Sequence, residues 1–262
     1  MSQNIRTVSL ADMSLREACD MFNQSYQHYI VPITFDLPML TRRIQAEDID
    51  LISSRLLQDD AGAPAGIMLI ARRGRISRLA GLGIIPERRG AGMGSRAVAL
   101  AIAEARARAD THMILEVIET NTVAISTYSR AGFVSRRRLV GYTHDPVQAE
   151  DGAVACSIDH ALALLMSAYP SDPSWQFSPV CFAGTSASYD AFRTEDNSAA
   201  ALVDGTGATA RLLAFAVTPT ERRKAVGRRF MKALLGRFPN KPWAISAAMP
   251  ENQAAAFLTA TG

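Results

Sequence analysis

Three glycines alternate in Gly90-Ala91-Gly92-Met93-Gly94-Ser95, behind the apolar run Leu82 to Ile85 and the link Pro86-Glu87-Arg88-Arg89. An Ala-rich stretch with helical spacing, Ser95 to Ala109, follows at once. This pattern can bind an anion. Glycine lets main chain approach a ligand without a Cβ in the way, and the first turn of a helix offers unpaired N–H groups and the positive end of its dipole. A phosphate or pyrophosphate suits that site. One competing reading is a plain strand-to-helix turn. Another is the dinucleotide fingerprint G-x-G-x-x-G, with Gly90 and Gly92 in place and Glu116 as a ribose partner. Against that, Ser95 holds the third glycine position, and Pro-Glu-Arg-Arg separates strand from loop.

A second segment bears on the choice. Thr111 to Ile118 is β-rich, and Glu119 to Phe133 then carries Asn121, Ala124, Tyr128, Gly132 and Phe133. Asn121 suits a helix N-cap and Gly132 the position just past a helix C-terminus. In order, Arg89-x-x-Gly92-x-Gly94 and Asn121-x-x-Ala124-x-x-x-Tyr128-x-x-x-Gly132-Phe133 resemble two motifs of the GNAT acetyltransferases, the acyl-CoA pyrophosphate loop and the helix after the fifth strand. The resemblance covers residues 82–133.

The resemblance implies an N-acetyltransferase that moves an acetyl group from acetyl-CoA to an amine by direct attack in a ternary complex. Main-chain groups of Gly83, Ile84 and Ile85 would pair with the pantetheine arm. Amides of Arg89, Gly90, Ala91, Gly92, Met93, Gly94 and Ser95 would hold the pyrophosphate, with Asn121 also on the cofactor side. Tyr128 would be the general acid, its phenol close in pKa to a thiol leaving group; the alternative is core packing. Many members of the family carry a carboxylate on the fourth strand, but Arg75 to Ile85 has none. Glu116 and Glu119 are the remaining candidates for the base, against a role in surface salt bridges. Tyr26, His28 and Tyr29 would shape the acceptor pocket, against simple packing of their loop.

The elements follow a consistent order. Ile5–Val8 reads as a strand, Ser14–Asn23 and Leu37–Glu47 as helices, and Ile52–Gln58, Ala65–Ala71 and Arg75–Ile85 as strands. Val134–Tyr142 is expected to close the first sheet. The second half repeats the first: Leu212–Val217 leads into Pro219–Gly227, with Arg222, Ala225 and Gly227 where Arg89, Gly92 and Gly94 stand. Asn252 and Ala255 echo Asn121 and Ala124. The fold class expected is α/β (α+β): two GNAT-like domains, residues 1–145 and 150–262, each a mixed, mostly antiparallel twisted sheet flanked by helices. The second copy reads as degenerate. Arg223 and Lys224 replace Gly90 and Ala91, and Phe257, Leu258 and Thr259 occupy the region where a tyrosine is needed. Its closing strands are either cut off at Gly262 or missing.

Composition sets the remaining limits. Two domains fit 262 residues, and 48% hydrophobic content supplies a core. Three scattered cysteines and four scattered histidines argue against a metal site and for a reduced, cytoplasmic chain. A net charge of +3 argues against nucleic acid, and no apolar run reaches membrane-spanning length. The expected partner is a small-molecule or peptide amine, with the protein a monomer or homodimer. A non-catalytic acyl-CoA-binding, regulatory or dimerisation module is the alternative.

Overall fold

The structure is a computed structural model that describes residues 5–146, 151–169, 173–184 and 189–252. The chain forms two compact units, Met1–Ser135 and Arg136–Gly262. The first contains β1 (Arg6–Ser9), α1 (Leu15–Ser25), α2 (Leu37–Ala46), β2 (Arg55–Gln58), β3 (Pro64–Arg73), β4 (Ile76–Ile84), α3 (Met93–Ala107), β5 (His112–Leu115) and α4 (Thr122–Arg130). Its sheet runs β1-β2-β3-β4-β5, antiparallel except for the β4–β5 pair.

Local signals fix the helix ends. Ser14 and Glu17 form a reciprocal capping box at α1, and Asp36 accepts the Met39 N–H at the start of α2. Leu57, Met68, Ile70 and Leu79 pack against Met93, Ala97, Val98 and Ala101 of α3. Phe22 of α1 is fully buried.

Two features of β4 matter for the site. Leu79 pairs with Ile70 and Gly81 with Leu69, so Ala80 is an extra residue, a β-bulge. Beside β5, pairing runs only from Ile76↔His112 to Leu79↔Leu115. β4 continues to Ile84, so its edge past the bulge has no strand beside it among the described residues.

The second unit contains β6 (Leu139–His144), β7 (Val154–Ala155), α5 (Ile158–Ala168), β8 (Asp190–Arg193), β9 (Ala199–Asp204), β10 (Ala210–Val217), α6 (Val226–Gly236) and β11 (Trp243–Pro250), with sheet order β6-β11-β10-β9-β8-β7. Again one pair, β10–β11, is parallel, and it is short: Ala210↔Trp243 and Arg211↔Ala244. A register shift between Leu212 and Ala214 makes Leu213 the counterpart of Ala80. The expected α/β class with two mostly antiparallel, helix-flanked sheets is the class observed.

One expectation is corrected. The run Val134–Tyr142 does not close the first sheet. The strand formed there, β6, pairs antiparallel with β11 of the second sheet, from Trp243↔His144 to Pro250↔Leu139. The reason lies in β11, which leaves β10 after two pairs and needs another partner along its length. Gly141 permits the approach, since a Cβ there would lie 2.8 Å from the Ile245 carbonyl oxygen. The echo at Ala255 and the residues Phe257, Leu258 and Thr259 lie outside the described residues.

Candidate active site

The glycine loop takes the backbone shape its sequence suggests. Pro86–Arg88 makes a single 3-10 turn, Gly90 (φ 82°) and Gly92 (φ 74°) are left-handed, and α3 begins at Met93. A Cβ at Gly90, Gly92 or Gly94 would meet nothing within 4 Å, so the loop fronts open space. The Arg96 N–H already bonds the Gly92 carbonyl, which leaves the N–H groups of Met93, Gly94 and Ser95 as the unpaired first turn. A diphosphate fits a cradle of this kind.

Arg89 has a different job from the one expected. Its N–H donates to the Pro86 carbonyl (3.2 Å), so its amide is committed within the turn. Its guanidinium donates to the carbonyls of Ile84 (2.9 Å), Ser25 (3.2 Å) and Gln27 (2.7 Å), clamping the loop to the end of α1. Arg222 repeats the clamp in the second unit, on Val217 (3.0 Å) and on Ala168 at the end of α5 (2.5 Å). There the left-handed positions are held by Arg223 (φ 62°) and Ala225 (φ 60°), so the second copy keeps the loop shape without its glycines.

The free edge of β4 is addressed by alternate residues. The Ala80 carbonyl accepts from Arg43 (2.7 Å) and the Ile84 carbonyl from Arg89 (2.9 Å), with the Tyr26 hydroxyl close beside Gly81 between them. The Ile85 N–H turns the other way, to Ala65 of β3 (3.0 Å). Of Gly83, Ile84 and Ile85, then, Ile84 presents main-chain groups to the open edge and Ile85 spends its amide on β3; the period of two puts Leu82 in the set instead of Gly83.

Both glycines on β4 make room for α1. A Cβ at Gly83 would lie 2.7 Å from Ser25 Cβ and 2.9 Å from Tyr26 Cε2, and one at Gly81 would lie 3.1 Å from the Tyr26 hydroxyl. Tyr26 thus lies flat on the strand, stacked on Phe22 (4.3 Å, 16°) and edge-on to Tyr29 (5.1 Å, 70°). Burial pushes its phenol up to about 12. Tyr128, on α4, packs against Phe133 (6.0 Å). Burial raises its pKa, and the neighbouring phenols of Tyr26 and Tyr29 push the same way, so it stays protonated at neutral pH. His28 is exposed and left-handed (φ 57°).

The carboxylates are tied to a residue the sequence reading passed over. Arg78 of β4 is 3% exposed. It donates to Glu47 just past α2 (2.6 Å) and doubly to Glu116 just past β5 (3.1 and 2.5 Å). Arg43 pairs with Glu47 as well (3.2 Å). Glu119 is exposed in the turn before α4, and Asn121 caps that helix by accepting the Ala124 N–H (3.1 Å). The available signal for the network was a single arginine inside the apolar run Ile76–Ile85, because a charge in a buried strand demands partners.

The parallel β4–β5 pair thus ends at a bulge, and the open edge beyond it leads to a glycine-fronted helix. Residues 17–133 match the family model described as "Acetyltransferase (GNAT) family". The matched stretch lies within the first unit, and the chain as a whole shares its fold with a tandem GNAT protein. A GCN5-related N-acetyltransferase from Sphaerobacter thermophilus is similar with TM-score 0.65 and 12% identity, over 93% of this chain and 86% of that one. A tandem GNAT protein from the clavulanic acid biosynthesis pathway gives 0.63 and 13%, over 98% and 94%. A GCN5-related glucosamine N-acetyltransferase region of a fungal multi-domain GH3 β-N-acetylglucosaminidase gives 0.69 and 11%, over 98% of this chain and 36% of that one. At these identities the likeness is one of fold. No curated protein matches the sequence.

Proposed function

We propose that the first unit transfers an acetyl group from acetyl-CoA to a primary amine by direct attack within a ternary complex. The carrying observation is the continuity of the open β4 edge at Leu82 and Ile84 with the glycine-fronted N-terminus of α3. Such an edge suits an amide-bearing arm, and such a helix end suits its diphosphate. Acetyl-CoA supplies the activated thioester.

The chain's own residues do the rest. The N–H groups of Met93, Gly94 and Ser95 bind the diphosphate, with Gly90 and Gly92 giving it access. The main chain of Leu82 and the Ile84 N–H orient the arm, the Ile84 carbonyl being held by Arg89. Tyr128, kept protonated by burial, delivers its proton to the leaving sulfur. Glu116, anchored by Arg78, takes the amine's proton directly or through water, and Glu119, in the turn before α4, is the alternative base. Tyr29 and His28 border the acceptor, a small-molecule or peptide amine. Among the described residues no helix is long and apolar enough to cross a membrane. The enzyme is read as cytoplasmic, monomeric or homodimeric, with the second unit a degenerate copy that does not turn over.

Calorimetric titration of acetyl-CoA tests this. Wild type is expected to bind at one site, and Gly92→Glu to lose it, because a side chain at a φ of 74° is strained and its carboxylate stands where the diphosphate must sit. Two sites in wild type with one surviving the substitution would make both units cofactor-binding. No binding by wild type would overturn the acetyltransferase reading.

A further inference from the structure

We propose that Tyr26 sets the length of the acyl chain the first unit accepts. The inference rests on the acetyl-CoA reading above and adds a specificity determinant to the same site.

An arm lying on the open edge of β4 runs from the α3 cradle past Ile84 to Leu82, where the bulge at Ala80 ends the slot. Beside that path lies Tyr26, its hydroxyl 3.1 Å from where a Cβ on Gly81 would stand and its ring 2.9 Å from one on Gly83. The tyrosine therefore stands at the end of the slot where the acyl group must go.

Its ring has nowhere to retreat. Below it are Gly81 and Gly83, where even a methyl would collide with the tyrosine or with Ser25. Behind it, Phe22 is stacked at 4.3 Å and fully buried. Tyr29 braces the edge at 5.1 Å. Phe22 is in turn covered by Arg43 (5.7 Å to the ring centroid), which is tied to the Ala80 carbonyl and to Glu47. A wall backed by Phe22, Tyr29 and the β4 main chain discriminates by size, since a close-packed group yields little to an extra methylene.

The second unit offers an internal contrast. Tyr169 follows α5 as Tyr26 follows α1. Counting back from the clamped carbonyls of Ile84 and Val217, however, Ala214 and Ala216 stand where Gly81 and Gly83 do. Both alanines are buried in their own core. The pair of glycines that lets a tyrosine lie on the slot is thus particular to the first unit.

The test is calorimetric titration of acetyl-CoA and butyryl-CoA into wild type, Tyr26→Phe and Tyr26→Leu, followed by turnover with each thioester. Wild type and Tyr26→Phe, which keeps the ring, are expected to bind acetyl-CoA at least about tenfold more tightly than butyryl-CoA, the usual worth of a methylene rejected by a fitted pocket. Tyr26→Leu is expected to bring that ratio close to unity. Should the leucine variant fail to fold, Tyr26→Met, whose flexible side chain fills irregular gaps, reads the same ratio. A ratio unchanged in the leucine or methionine variant, or a wild type indifferent to chain length, overturns the proposal while acetyl-CoA binding still stands. Absence of acetyl-CoA binding by wild type overturns the reading beneath it.

Discussion

Arg78→Met is expected to destabilise the protein by about 3 kcal/mol, the lower end of the cost of removing one partner from a buried ion pair. The wild-type side chain holds two carboxylates at once, Glu47 at 2.6 Å and Glu116 at 2.5 Å. Methionine fills much of the same volume but leaves both anions facing the sheet without their shared cation. Glu116 keeps 22% of its side chain in solvent, which is why the lower end of the range applies. Arg78→Lys should recover little, because a single ammonium cannot span two carboxylates in different directions. Urea denaturation of the variants decides the matter. A loss below about 1 kcal/mol would mean that the carboxylates rehydrate and that the network is a surface one. Adding Glu116→Gln to Arg78→Met should restore part of the loss, since Glu47 keeps its pair with Arg43 and no carboxylate is then left without a cation.

Tyr128→Phe is expected to lower kcat by about 100- to 10,000-fold, the range typical of losing a positioned general acid. KM for acetyl-CoA should change little, because under the proposed mechanism the hydroxyl acts only on the leaving sulfur, and the ring keeps its contact with Phe133. The pH dependence has a definite sign. Burial raises the phenol above its ordinary 10.0, and the working form is the protonated one. Activity should therefore persist as pH rises through 10.0 and fall only beyond it, and the phenylalanine variant should lack that alkaline limb. A variant within a few-fold of wild type would reduce Tyr128 to a packing residue.

The shapes of the glycine loop and of the α4 cap were legible in the sequence because they are local. Alternating glycines before an Ala-rich helix, and Asn121 eleven residues ahead of Gly132, announce backbone shapes that a short segment determines alone. What escaped it is long-range. Nothing near Arg89 says that its side chain reaches Ser25 and Gln27, or that Gly81 and Gly83 are small to accommodate Tyr26. Which residues of β4 face the open edge depends on the bulge at Ala80 and on where β5 departs, and a run of apolar letters records neither. The repeat was visible in Pro219–Gly227, yet the equivalence of Tyr26 with Tyr169 emerged only from the two arginine clamps. Strand β6 was misassigned for the same reason: alternation predicts a strand and leaves its partner open.

The place of β6 has a consequence for the order in which the protein can be completed during synthesis. Among the described strands of the second sheet β6 is the earliest made and its neighbour β11 the latest, so the edge strand must wait for residues 243–250 to emerge. Through that interval its main-chain donors and acceptors form a template for any passing chain. A nascent protein stalled before β11 would therefore have a finished first sheet and an adhesive second half. Pulsed proteolysis of ribosome-bound chains should find the first unit protected long before the second.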